Sequence, residues 1–201
     1  MSAKITLDQW HALLAVVDEG GYASAAEALD KSQSAISYAV QKIETELGVR
    51  AFTLEGRRAK LTETGQMLYR QAKVLVEEAN RIAQGAIAKA EALNIKINVA
   101  VCDVGGRLLV FQRMDGAMWA GVYGSQGKAI ASAAFGRPSG DLTERADHPT
   151  FRGIVAGEGG HMIMGQGAVP IIRDGVVEGA CGVGGGTSQE DEDCARAGVD
   201  L

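Results

Sequence analysis

The sequence predicts an α+β protein of two domains joined by a long helix. Three observations carry this. Of 27 glycines, six precede Asn94 and the remaining 21 follow it. Apolar residues recur at helical spacing in the first half, whereas β-branched runs alternate after residue 95. Between Glu63 and Asn94 there is no proline, and Gly65 and Gly85 are the only glycines, so one helix is expected to run from the first texture to the second. The expected boundaries are 1–65, 66–93 for the helix, and 94–201.

A length of 201 residues suffices for two cores, and a mean hydropathy of +0.01 fits a soluble globular chain. There is no apolar run of membrane-spanning length, and Met-Ser-Ala-Lys does not start a signal peptide, so a cytoplasmic protein is expected. Cys102, Cys181 and Cys194 lack zinc-site spacing and read as reduced thiols. The net charge of −5 belongs to the second half. Residues 1–90 balance 11 basic against 11 acidic groups, while 91–201 hold 9 against 14. Local clusters, not net charge, therefore decide whether the first half can meet a polyanion.

Leu7, Trp10, Leu13, Leu14 and Val17 predict a first amphipathic helix starting at Thr6 or Leu7. His11 on it reads as a packing or solvated residue. Gly20-Gly21 breaks the chain, and Ser24–Leu29 forms a short second helix. Asp30-Lys31-Ser32 then turns, with Ser32 placed to cap a third helix reaching Leu47. Ile36, Val40, Ile43 and Leu47 make its buried stripe. Its other face begins with Gln33, Ser34, Ser37 and Tyr38, followed by Gln41 and Lys42. These side chains suit the base edges and phosphates of a major groove. Gly48 ends the helix, and Arg57, Arg58 and Lys60 form a basic loop before Leu61-Thr62-Glu63-Thr64-Gly65. The pattern is a helix-turn-helix with a basic wing, and double-stranded DNA is the expected partner.

Ser32-Gln33-Ser34-Ala35-Ile36-Ser37, Ile43-Glu44, Glu46-Leu47-Gly48, Phe52, Arg58 and Leu61-Thr62 with Gly65 resemble the DNA-binding domain of LysR-type transcriptional regulators, over residues 5–90. Ala51 stands where that family usually has leucine, which predicts looser wing packing. Leu54 stands where arginine is common, which removes one phosphate contact. Leu68, Ala72, Leu75, Ala79, Ile82 and Ala86 alternate at spacings of four and three. The resemblance implies that this seam pairs two chains; a stripe against the chain's own second domain is the other reading.

In the second half, Ile95–Val101 and Arg107–Arg113 predict strands around a Gly105-Gly106 turn, and Ala117–Phe135 a helix. Asp174-Gly175 predicts a hairpin between 169–172 and 176–181. Gly182–Gly186 reads as a turn, with Thr187 or Ser188 capping a last helix. Asp103, Gly105-Gly106, Phe111, Arg113–Ala117, Lys128-Ala129, Arg137-Pro138-Ser139 and Gly185-Gly186-Thr187 resemble the GlcG/HbpS-like haem-binding family, which includes the C-terminal domain of PduO-type proteins. That resemblance implies a profilin-like α/β domain, an antiparallel sheet with helices on both faces, assembled as a homodimer or higher homo-oligomer.

Arg113, Asp115, Lys128 and Arg137 either converge on an anionic ligand or form internal ion pairs. His161, His148 and Met164 are the candidate haem ligands. No nucleophilic triad, metal cluster or phosphate-binding loop of recognisable spacing can be assembled, so no enzyme is expected. The favoured function is a DNA-binding transcriptional regulator whose second domain senses a small molecule or drives oligomerisation. The alternatives are a haem or corrinoid carrier, and an engineered fusion of the two domains.

Overall fold

A computed structural model describes residues 5–55 and 58–201, in two compact units that meet in sequence between Glu77 and Glu78. In the first unit, helix α1 (Leu7–Asp18) opens with the Thr6 N–H donating to the Gln9 side chain at 2.8 Å. Helices α2 (Tyr22–Ala28) and α3 (Gln33–Leu47) follow. Ser32 caps α3, its Oγ accepting the Ala35 N–H at 3.2 Å. Gly48 closes the helix in the left-handed conformation that residues with a Cβ resist, at φ 66°. Ile36, Val40 and Ile43 are fully buried in a core shared with Leu13 and Ala25, while Leu47 packs at its edge.

Strands β1 (Phe52–Glu55) and β2 (Arg58–Leu61) pair antiparallel, with Phe52 opposite Leu61 and Thr53 opposite Lys60. The basic stretch expected as a loop is thus partly strand: Arg58 and Lys60 lie on β2, and Arg57 falls outside the described residues. Four-residue strands carry too short an alternation to stand out in sequence.

Thr62 ties this hairpin to helix α4 (Glu63–Ala92). Its hydroxyl donates to the Arg50 carbonyl at 2.6 Å and accepts the Gly65 N–H at 2.9 Å. A Cβ on residue 65 would lie 2.0 Å from the Ala51 carbonyl oxygen, so only glycine fits. Gly65→Ala is therefore expected to destabilise the first unit by about 1–3 kcal/mol through this overpacking. An unshifted thermal transition would show that the backbone yields instead. Ala51 is fully buried, and its N–H donates to Glu44 Oε1 at 2.7 Å, so the smaller side chain leaves the backbone firmly held.

Most of the α4 seam follows the other reading of the stripe, one covered by the chain itself. Ala72 is buried in the first unit's core; Ala79, Ile82 and Ala86 are buried in the second unit's core, none more than 2% exposed. Leu68 is half-buried, and Leu75 is the one member of the stripe left exposed. Each part of the stripe is covered by its own unit, because alanine at alternate positions admits close neighbours. The outward apolar side chains of α4 are Met67, Val74 and Leu75.

The second unit contains β3 (Asn98–Asp103), β4 (Leu108–Arg113), α5 (Gly121–Phe135), a 3-10 turn (Ser139–Arg145), α6 (Pro149–Glu158), β5 (Ala168–Arg173), β6 (Val176–Gly184) and α7 (Ser188–Val199). Its antiparallel sheet has the order β4-β3-β6-β5. Val99, Val101, Cys181 and Val183 form one core with Ile82 and Ala86 of α4 and Cys194 and Ala195 of α7. Cys102 and Ala180 turn the other way, onto Ala129 and Ala133 of α5. Helices therefore cover both faces, as the resemblance implied.

Gly182 belongs to β6 and not to a turn. A Cβ there would lie 2.2 Å from the Ser125 carbonyl oxygen, so glycine lets α5 lie close on the sheet. Capping falls to Thr187, whose Oγ1 accepts the Glu190 N–H while the Glu190 carboxylate accepts the Thr187 N–H. No element is assigned to residues 139–167 from sequence, yet α6 forms there, with Pro149 in its first turn and no fully buried residue. Its inward face is short: Phe151 and Val155 pack, partly buried, against Leu142 and Met162, and Gly153 and Gly157 interrupt the pattern.

Candidate nucleic-acid interface

The base-facing group on α3 is presented by the cap and the buried stripe together. With Ile36, Val40 and Ile43 inward, Gln33, Ser34, Ser37 and Tyr38 all stand exposed, Tyr38 by 64%. They occupy the helix's first turn and a half, where the positive end of the dipole adds attraction for phosphate. The Ser34 hydroxyl lies 3.0 Å from that of Ser32, which fixes its direction. Lys42 is half-exposed and pairs with Glu46 at 3.4 Å, a contact that competes with any phosphate. Lys60 is exposed on β2.

Between α3 and the hairpin runs an open trough of about 970 Å³. Ser37, Gln41 and Thr45 line one side, and Arg50 and Thr53 the other, with Tyr22, Glu44 and Phe52 among the remaining lining residues. Glu44 spends one carboxylate oxygen on the N–H groups of Ala51 (2.7 Å) and Phe52 (3.1 Å). Burial, with Glu44 nearby, pushes the Tyr22 hydroxyl up to about 12. Sequence reasoning passed over Tyr22, whose spacing does not mark it as a neighbour of α3, and Arg50, which stands outside the helix and the basic loop.

The candidates of the second unit do not form one site. Among the described residues, no hydrogen bond or ion pair joins any two of Arg113, Asp115, Lys128 and Arg137. Arg113 donates from Nε (3.2 Å) and Nη2 (2.8 Å) to the Ala117 carbonyl, bracing the loop after β4. Asp115 and Arg137 are exposed. Lys128 follows the ion-pair reading: buried at 8% exposure, it donates from Nζ to Asp191 Oδ2 at 2.8 Å. Asp191 Oδ1 also accepts the Gly186 N–H at 2.9 Å. Burial pushes the Asp191 carboxyl above its ordinary value, against the opposing pull of Lys128. Asp191 was hidden in the sequence by its acidic neighbours Glu190, Glu192 and Asp193, among which nothing singles it out.

His148 caps α6, its Nδ1 accepting the Thr150 N–H at 3.3 Å, and His161 is exposed beyond the other end of that helix. A helix of 10 residues separates them, roughly 15 Å, too far for both to bind one iron. Met164 is buried with Leu142 and Met162, so its sulfur is committed to a core. These three residues do not fit a shared haem seat. Among the described residues no group of three or more His, Cys, Asp or Glu is arranged to hold a metal ion, and no helix is long and apolar enough to cross a membrane.

Comparison with known proteins supplies the relationship. The family model "Haem degrading protein HbpS-like" matches residues 74–200, and "Bacterial regulatory helix-turn-helix protein, lysR family" matches residues 7–66. The probable HTH-type transcriptional regulator YhaJ of Escherichia coli (strain K12) is 38% identical over 86 residues, 43% of this chain and 29% of YhaJ. The chain thus spans under a third of that relative's length. An uncharacterised 15.0 kDa protein of Citrobacter freundii is 29% identical over 130 residues, covering 64% of this chain and 92% of that protein. The crystal structure of a Streptomyces reticuli HbpS double mutant matches with a TM-score of 0.56 at 27% identity, over 62% of this chain and 84% of that one. The chain belongs to the HbpS-like family through its second unit and carries a LysR-type helix-turn-helix in its first.

Proposed function

We propose that the protein is a cytoplasmic, sequence-specific DNA-binding transcriptional regulator without catalytic activity, whose HbpS-like domain senses a small molecule or holds copies together. The observation that carries this reading is the capped N-terminus of α3, with Gln33, Ser34, Ser37 and Tyr38 exposed along it. One such helix makes few contacts. Two held about 34 Å apart, one turn of duplex, gain affinity through effective concentration. Residues 66–93 are the proposed pairing helix, through the exposed Met67, Val74 and Leu75 rather than the whole seam. The exposed Asp115 and Arg137 are proposed as separate effector contacts.

Base readout is tested with Gln33→Ala, on duplexes the full chain selects from a random pool and on random duplex. The variant should lose about 1–3 kcal/mol on selected DNA and far less on random DNA. Equal loss on both would remove base reading by Gln33.

A second reading, haem carriage, rests on the family match of residues 74–200. His161 is its remaining candidate ligand, with an exposed imidazole. Haem titration followed by absorbance should give a saturable spectrum that His161→Ala alters. An identical spectrum from the variant removes His161, and no saturation removes the reading.

A further inference from the structure

Base reading by α3 leaves the trough beside it unused. The two grooves of a duplex are separated by a phosphodiester strand. If α3 lies in one groove and the β1–β2 wing reaches toward the next, a strand must cross the space between them. That space is the trough of about 970 Å³.

Its lining suits such an occupant. Arg50 is exposed, and among the described residues its guanidinium has no hydrogen-bond or ion-pair partner; only its carbonyl is engaged, by Thr62. The side chains of Ser37 and Gln41 and the Tyr22 hydroxyl are likewise without hydrogen bonds among the described residues. The Thr45 and Thr53 hydroxyls already donate, to the Gln41 and Lys60 carbonyls. Glu44, the acidic group of the lining, has an oxygen occupied by two backbone N–H groups, which draws its charge away from the opening. A free cation at the rim, with uncommitted hydroxyl and amide donors along the wall, complements a chain of phosphate oxygens. Continuity with the exposed face of α3 gives the strand its direction.

We infer that the trough seats one phosphodiester strand of duplex DNA, with Arg50 as its charged anchor and Ser37, Gln41 and Tyr22 as neutral donors. This rests on the DNA-binding reading above. It moves Ser37 from base reading to backbone positioning and assigns roles to two residues the motif did not mark.

The test uses the full chain on random duplex and on pool-selected duplex across a salt series. Arg50→Ala should weaken both by a similar factor, about tenfold at low salt. It should also make the slope of log affinity against log salt shallower by about 0.9, the loss of one phosphate contact. Arg50→Lys should restore the slope, because a cation suffices there. Gln33→Ala should leave the slope unchanged. If Arg50→Ala keeps the wild-type slope while Gln33→Ala still loses selected DNA, the trough assignment is overturned and base reading stands. If the wild-type chain binds neither duplex, both fall. Because no side-chain bond of Arg50 is removed, Arg50→Ala should melt as the wild type does.

Discussion

Ile82→Glu is expected to unfold the second unit, whereas Leu75→Glu leaves it folded. Both residues lie on the α4 stripe, yet Ile82 is 2% exposed within the sheet's core and Leu75 is 39% exposed. Removing a buried isoleucine to alanine size costs about 2–5 kcal/mol. A carboxyl with no partner among Ala79, Val99 and Val183 adds the cost of burying a polar group, about 1–3 kcal/mol on protein scales. Together these rival the whole stability of a small domain, about 5–15 kcal/mol. Circular dichroism should show loss of the second unit's transition in Ile82→Glu. A wild-type transition would mean that this face of α4 does not pack on the sheet. Leu75→Glu isolates pairing: a fall in two-half-site binding with melting unchanged supports α4 as the dimer helix. Undiminished binding moves the dimer contact elsewhere.

Lys128→Met should be nearly as damaging, at about 3–5 kcal/mol, because it strands the Asp191 carboxylate in the interior. The double variant Lys128→Met with Asp191→Leu should recover most of that loss, since two apolar side chains leave no charge unpaired. Direction with pH follows from the raised Asp191 carboxyl. A folded-state pKa above the unfolded value means the folded chain holds the proton more tightly. That contribution is fully present below the unfolded pKa and is lost as pH rises through the folded one. Without Lys128 the upward push is stronger, so the single variant should regain stability on acidification. Urea denaturation at neutral and mildly acidic pH measures this, and a pH-independent loss would mean that Asp191 finds another partner.

Elements with a buried face were legible in the sequence. The α3 stripe, the Ser32 cap, the Gly48 stop and the Asp174-Gly175 hairpin each follow from local chemistry, and all four appear where expected. Asp174 and Gly175 take φ of 49° and 78°, the pair of left-handed residues such a tight turn requires. The α4 stripe was visible as a stripe, but periodicity says only that a face is covered, not by what. Helix α6 escaped because its stripe of Phe151, Ile154 and Val155 is barely more than one turn long and is set among Gly153, Gly157 and Gly159, which weigh against a helix. The trough escaped because Tyr22 lies far in sequence from Gln41 and Arg50, and the three come together only once α2, α3 and the segment leading into β1 pack. The Lys128–Asp191 pair spans 63 residues, and no local signal links its ends.

All three cysteines lie in the second unit and all are buried. Burial pushes the Cys102 thiol up to about 12, that of Cys194 up to about 11, and that of Cys181 higher still. Thiolate is the reactive form, so a thiol reagent finds almost nothing to attack in the folded chain. Labelling then waits for the sheet to part from α5 or α7, and its rate counts those openings. The helix-turn-helix unit, which has no cysteine, is silent in such an experiment. Cys102 beneath α5 and Cys194 on α7 make two separate clocks, one for each face of the same sheet.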